Sequence, residues 1–330
     1  MTRPINTVLV YVREDLLGDA LLKRPFLYAL REIFPKAHIT WCAGGGKSFF
    51  KGPFAPLVKG LLDEVIEHPL GVGFSEILRA PPFKGADFDL IIDTQRDLWP
   101  TLMLKRIPHK MFLSRTAGFL WSDYKTWTGI SWRGHLSERL VMLLSLYKGR
   151  PMKRMVIRPV DLAPYKKNIK GVFQPQKTYI GLAPGAGGAK KCWPLDRFIA
   201  VAQYCVTQHI TPVFILGPSE SAWAPYLRVQ CPQAIFPLQD HPNLLKDPLN
   251  TAALGEGLCV TLANDAGVGH LLGLSSTYLI SLFGPTDPAK VRPLARSGCT
   301  IQAQDFGGRS MDLIPKTAVI QSVKKFMKKR

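Results

Sequence analysis

The segment Ala183-Pro-Gly185-Ala-Gly187-Gly188-Ala-Lys190-Lys191-Cys-Trp193-Pro194 runs from a strand through glycines and two lysines into a helix start. Glycines let backbone N–H groups approach an anion, a helix start adds positive potential, and lysine adds a mobile charge. That is phosphate chemistry; the plain alternative is a strand-to-helix loop with solvated lysines. Asn264-Asp265-Ala266-Gly267-Val268-Gly269-His270 sets an acid, small residues and a histidine where a ligand could lie against the backbone. A lone histidine such as His270 is more often packed than catalytic. Glu220, in Gly217-Pro-Ser-Glu220, could accept from ribose hydroxyls or cap a helix. Asp19, after Gly18, could take a proton at the end of a strand, although on spacing alone a helix cap is the commoner use.

Weaker signals flank these. Asp93-Thr-Gln-Arg96-Asp97 closes a strand and reads either as functional or as a cap. Arg106, His109, Lys110 and Arg115 form a basic cluster along the chain, an anion site or a solvated face. Gly44-Gly45-Gly46-Lys47-Ser48 is no phosphate-binding P-loop, because Trp41 stands where its first glycine belongs.

These residues need elements to position them. Strand-like runs cover Thr7–Val12, His38–Cys42, Val65–His68 and Phe88–Asp93, then Tyr179–Ala183, Pro212–Leu216, Leu258–Leu262 and Thr277–Phe283. Leu21, Leu22, Phe26, Leu30 and Ile33 follow a helical period, with Pro25 predicting a kink or an early start. A second helix is predicted from about Pro194 to His209, with Phe198, Val201, Ala202 and Cys205 inward. Alternating strands and helices predict parallel sheets covered on both faces. Two such series imply two doubly wound α/β domains, with a Pro- and Lys-rich linker between about Arg150 and Lys177. The tail from Val323 to Arg330 reads as a basic helix.

Composition narrows the partners. Lys plus Arg number 43 and Asp plus Glu 24, a net charge of +19. Such an excess suits nucleic acid, an anionic membrane or a phosphorylated substrate. No zinc finger, RNP-like motif or helix-turn-helix pattern is present, so nucleic acid is not expected. No apolar run reaches the ~18–20 residues of a membrane span. The run Val8–Val12 meets Arg13, Glu14 and Asp15 too soon for a signal-peptide core. The six cysteines are scattered without a CxxC pair, which predicts a reduced, cytoplasmic chain with no metal site.

Taken in order, the motifs resemble those of glycosyltransferase family 9, the ADP-heptose:lipopolysaccharide heptosyltransferases. Leu16-Leu-Gly18-Asp19-Ala-Leu with Pro25 is similar to the first signature, and Ala183-Pro-Gly185 with Lys191-Cys-Trp193-Pro194 to the second. Asn264-Asp265-Ala-Gly267-Val-Gly-His270-Leu with Leu282-Phe-Gly284-Pro-Thr286-Asp287-Pro288 is similar to the third. One departure is Ala266, where the family usually has Ser or Thr.

The resemblance implies a GT-B fold, two Rossmann-like domains facing across a cleft. Residues 1–160 would bind acceptor, 175–312 would bind the donor, and 313–330 would return as a helix to the first domain. It implies an inverting, metal-independent transfer of heptose from an ADP-heptose-type donor to the lipopolysaccharide inner core, with no cofactor. Asp19 takes the place of the base. Gly185, Lys191, Glu220, Asp265, Ala266, Gly267 and His270 take the donor positions, Lys191 on phosphate and Glu220 on ribose. Arg106, Lys110 and Arg115 would serve the acidic acceptor. The charge would hold the protein peripherally at the cytoplasmic face of the inner membrane. A non-catalytic nucleotide-sugar-binding protein and a sugar-nucleotide epimerase are the alternatives on the same fold.

Overall fold

The computed structural model describes residues 4–67, 83, 85–125, 132–152 and 155–327. His68, at the end of one expected strand, and 328–330 of the basic tail lie outside the described residues. The chain divides between Arg158 and Pro159 into two compact units.

Each unit is built on one five-stranded parallel sheet. In the first, β1 (Thr7–Val12), β2 (His38–Ala43), β3 (Glu64–Glu67), β4 (Phe88–Asp93) and β5 (His109–Ser114) lie in the order β3-β2-β1-β4-β5. Crossover helices cover both faces of such a sheet, so its central strands must be apolar almost throughout. Accordingly, Val8 through Val12 and all of β4 are buried. The main helices are α1 (Leu17–Ile33), α2 (Leu98–Lys105) and α3 (Leu136–Lys148). α1 continues on both sides of Pro25 and does not begin there.

In the second unit β6 (Thr178–Ala183), β7 (Ile210–Phe214), β8 (Val260–Asn264), β9 (Tyr278–Phe283) and β10 (Gly298–Gln302) take the order β10-β9-β8-β6-β7. Its main helices are α4 (Leu195–Thr207), α5 (Gly267–Leu272) and α6 (Lys316–Met327). Phe198, Val201, Ala202 and Cys205 are buried, as the helical period predicts, but Pro194 is the cap residue and not part of α4. Val319 and Val323 of α6 are fully buried in the second unit's core with Trp193 and Phe198. All six cysteines are free.

In both sheets the strand order reverses at one place. Crossovers leave β1 and β4 in opposite directions, and the same holds for β6 and β8. In open α/β sheets ligands bind at the carboxyl ends of strands beside this reversal. Asp93 ends β4 and Asn264 ends β8.

Two buried carboxylates organise the first unit. Asp15 is 1% exposed. It accepts from Lys23 Nζ at 2.5 Å, Trp41 Nε1 at 2.7 Å and Ser48 Oγ at 2.7 Å. Three elements are thereby fixed together: the β1–α1 turn, β2 and the glycine loop 44–48. In that loop a Cβ on Gly44 would collide with the buried ring of Tyr11, so only glycine lets the chain pass. Asp93 is fully buried and accepts from Thr101 Oγ1 at 2.6 Å, Ser114 Oγ at 2.8 Å and the Gln95 amide at 2.9 Å. Burial outweighs these hydrogen bonds and pushes its carboxyl up to about 6.

Breaking a buried pair from one side strands a charge and costs about 3–5 kcal/mol. Lys23→Met is therefore expected to lower unfolding stability by about that much in denaturant titration, and adding Asp15→Asn should restore a large part. Losses that simply add would rule the pair out as a coupled unit.

Asp93 gives a pH dependence. Its carboxyl ionises near 3.8 when unfolded and near 6 when folded, so the native state keeps a proton that the unfolded chain gives up. Its contribution is full below about pH 4 and is lost as pH rises through about 6. Asp93→Asn should flatten that decline in melts taken across the window; identical slopes in the two proteins would exclude the effect.

Candidate functional site

The glycine-rich segment predicted to bind phosphate leaves β6 at Pro184 and enters α4 after Pro194. Across the strand reversal, β8 delivers Asn264 and then Asp265. Lys191 Nζ donates to Asp265 Oδ2 at 2.7 Å. The Asp265 side chain is 7% exposed and that of Lys191 38%, so a buried carboxylate is neutralised by a lysine that still reaches solvent. Lys190 is exposed beside it.

Glu220 comes from the turn after β7, in the short helix Pro218–Trp223. It makes no helix cap. Its carboxylate instead lies over two glycine backbones. A Cβ on Gly185 would come within 2.5 Å of Glu220 Cδ, and one on Gly217 within 2.8 Å of its Oε2. Glycine at both positions makes room for this acid, which links the second motif to the third strand end. Ala266 is the cap residue of α5 and offers its first turn no side-chain acceptor. Gly267 opens that helix, and His270 lies buried within it. The predicted donor residues thus gather at the carboxyl ends of β6, β7 and β8.

Asp19 lies at the carboxyl end of β1, as the third residue of α1. Leu16 is the cap residue, so Asp19 is not the cap that spacing favoured. Asp19 is half-buried in the first turn of α1, where the helix dipole favours a negative charge.

The basic cluster separates. Lys110, at the start of β5, is 2.6 Å from Asp89 near the start of β4. Arg106 ends α2 and rests 3.8 Å from Met103 Sδ. His109 Nδ1 lies 2.6 Å from the Ile107 carbonyl. These three sit at the amino edge of the sheet, away from the ligand-binding ends. Arg115 follows the other end of β5, roughly 16 Å along the strand at ~3.3 Å per residue. Closeness in sequence therefore misled, because a strand separates its two ends.

Arg115 has other company. Its guanidinium lies 4.0 Å from the centre of the Trp132 ring. Burial, then the charges of Arg96 and Arg139, lower its pKa to about 10. The chain turns after it through Ala117, Gly118 and Phe119, all with positive φ of 49°, 65° and 69°. Such backbone costs of order 1–3 kcal/mol at a non-glycine residue and persists where surrounding structure enforces it. Sequence reading missed Arg139 and Trp132, and it named Asn264 only as part of a motif without assigning it a role. Among the described residues no group of three or more His, Cys, Asp or Glu could hold a metal ion.

The family model for glycosyltransferase family 9 (heptosyltransferase) matches residues 82–308, which hold the Lys191, Glu220 and Asp265 motifs but not Asp19. A family 9 glycosyl transferase from Veillonella parvula superposes with a TM-score of 0.74 at 17% identity, over 100% of this chain and 99% of that one. The E. coli heptosyltransferase WaaC, with ADP-2-deoxy-2-fluoro heptose, gives 0.67 at 17% identity over 97% and 99%. The E. coli ADP-heptose lipopolysaccharide heptosyltransferase II gives 0.66 at 14% identity over 98% and 99%. No curated protein sequence matches. With two five-stranded parallel sheets of the GT-B type and a family match over most of its length, this chain belongs to glycosyltransferase family 9, the heptosyltransferases, and is a glycosyltransferase.

Proposed function

We propose that the enzyme transfers a heptose from an ADP-heptose-type donor to an acidic acceptor of the lipopolysaccharide inner core, inverting the anomeric centre without a metal ion. The observation that carries this reading is the Lys191–Asp265 pair, together with Glu220 lying over Gly185, at the carboxyl ends of β6, β7 and β8. A nucleoside diphosphate needs a cation and amide donors for phosphate and an acceptor for ribose, and this group supplies all three.

Inversion requires one displacement. Asp19 accepts the proton of the attacking acceptor hydroxyl. As the bond to the donor oxygen breaks, charge grows on the diphosphate. Lys191 has three N–H donors, so it can keep Asp265 and still meet a phosphate oxygen. The amides of Gly185–Gly188 add fixed dipoles. With these in place the leaving group needs no divalent cation. Lipopolysaccharide inner core and the cytoplasmic membrane face are both anionic. Among the described residues no helix is long and apolar enough to cross a membrane, and each Lys or Arg near an anionic surface adds about 1 kcal/mol. The net charge of +19 therefore suits peripheral attachment. For the acceptor itself, Arg115 with Arg96 and Arg139 replaces the dispersed cluster, since unneutralised guanidinium groups near one another favour an anion among them.

The decisive experiment incubates the enzyme, in EDTA, with ADP-heptose and a panel of truncated acceptors and reads products by mass. Heptosylated acceptor is expected. Release of altered sugar without acceptor would instead indicate an epimerase, and binding without turnover a sensor. Asp19→Asn should reduce transfer ~10²–10⁴-fold with ADP binding unchanged; more than a tenth of activity remaining would remove Asp19 as the base.

Arg115→Ala should raise the acceptor KM ~10-fold and spare the donor KM, whereas Lys110→Ala, already committed to Asp89, should change neither. A larger effect from Lys110 would return the acceptor site to the opposite edge of the sheet.

A further inference from the structure

One side chain holds both ends of the glycine-rich segment. Asn264, the last residue of β8, is 1% exposed. Its Nδ2 donates to the Pro184 carbonyl at 2.7 Å, and its Oδ1 accepts from the Trp193 amide at 3.2 Å. Pro184 is the first residue after β6, and Trp193 is nearly the last before α4. Every residue of the segment between them, Gly185 and Lys191 included, hangs from that carboxamide. The next residue, Asp265, holds Lys191 itself.

The rest of the segment does little to fix its own shape. It contains one turn, with the Lys191 amide on the Gly188 carbonyl at 2.9 Å and that of Cys192 on Ala189 at 3.0 Å. A Cβ on Gly187 or Gly188 would meet nothing within 4 Å. Its tip is unpacked, so its width is set at the base. Trp193 makes that base rigid: it is 1% exposed, and its indole N–H donates to the Ile314 carbonyl at 2.9 Å.

We propose that Asn264 is a positioning residue for the donor diphosphate. Its carboxamide fixes the spacing of the Pro184 and Trp193 ends, and so the placing of the Gly185–Gly188 amides and of Lys191. The role demands one donor and one acceptor on a short side chain. A carboxylate would accept from Trp193 but repel the Pro184 carbonyl. A protonated carboxyl would satisfy both. This proposal rests on the reading of the segment as a diphosphate site.

The chemistry makes the test specific. ADP is titrated calorimetrically into the wild-type enzyme, Asn264→Asp and Asn264→Ala from pH 5 to pH 8, each variant expressed as a ratio to wild type at the same pH. At pH 8 both variants should bind ADP at least ~10-fold more weakly, since a buried carbonyl or amide loses its partner. As pH falls, Asn264→Asp should recover to within a few-fold of wild type while Asn264→Ala should not. Burial raises the pKa of the new carboxyl above the usual ~3.9, which brings the recovery into range. Parallel Asp and Ala profiles, or an Ala variant equal to wild type at pH 8, would overturn the proposal. Failure of the wild type to bind ADP would instead reject the donor reading beneath it. Should the Asp variant not fold at pH 8, hydrogen exchange of Asn264→Ala decides. Amides 185–191 should exchange at least ~10-fold faster with β8 unchanged; unaltered exchange there would equally refute the role.

Discussion

Everything in this chain that can act chemically depends on two strand pairings, β1 with β4 and β6 with β8. A parallel pair needs a crossover, and a right-handed crossover places each helix on a fixed face. Where consecutive crossovers depart to opposite sides, the loops leave a gap at the carboxyl ends that no helix fills. Asp19 and Asp93 belong to the first gap, Pro184 and Asn264 to the second. Residues far apart in the sequence, such as Lys191 and Asp265 at a separation of 74, meet only because β6 and β8 are hydrogen-bonded neighbours.

Placing polar groups at such gaps requires burying some of them, and three carboxylates are stabilised in three ways. Asp15 has a buried ammonium and two neutral donors. Asp93 has hydroxyls and an amide but no cation, and its proton affinity rises. Asp265 has Lys191, a partner that solvent can reach. The last arrangement differs in kind. A cation held by a buried acid is pre-placed, yet it keeps donors for a ligand. Removing Lys191 would therefore leave Asp265 as an uncompensated buried charge. A substitution at Lys191 would thus disturb stability as well as any ligand contact, which is why Asn264, neutral and bonded through both its nitrogen and its oxygen, is the cleaner probe of the segment.

The sheet cores were legible in the sequence because burial on both faces leaves a continuous apolar run, and β1 and β4 match their expected bounds. β5 and β10 were not. They are edge strands, and His109-Lys110 and the Gly298–Thr300 stretch carry polar residues that hide the pattern. The same polar residues made β5 look like a basic cluster. Charge along a sequence says nothing of direction until the backbone is known to be extended, and a six-residue strand then carries its ends apart. The residues that meet at the ends of β6, β7 and β8 stood out in the sequence because glycine, lysine and acid each have a distinct chemical use. Asn264, named only within its motif, was given no role for the opposite reason. Its function is to satisfy two backbone groups of a distant loop, and neither partner is visible in the sequence.

Ala266 shows how a local departure is to be weighed. A serine or threonine there would cap α5, a contribution of about 0.5–2 kcal/mol, and would offer a ligand one hydroxyl. Alanine gives up both. Yet α5 is held by its own packing, with Gly269, His270, Leu271 and Leu272 buried, and Gly269 lies against the Asn264 carbonyl and the Ala263 methyl. The helix therefore does not depend on its cap. The Asp265 carboxylate, fixed by Lys191 on one side and by its amide on the Leu282 carbonyl at 2.9 Å on the other, keeps its place regardless of the next side chain. What the substitution removes is one contact, while the frame that positions the remaining contacts is set by β8, Asn264 and the Lys191–Asp265 pair.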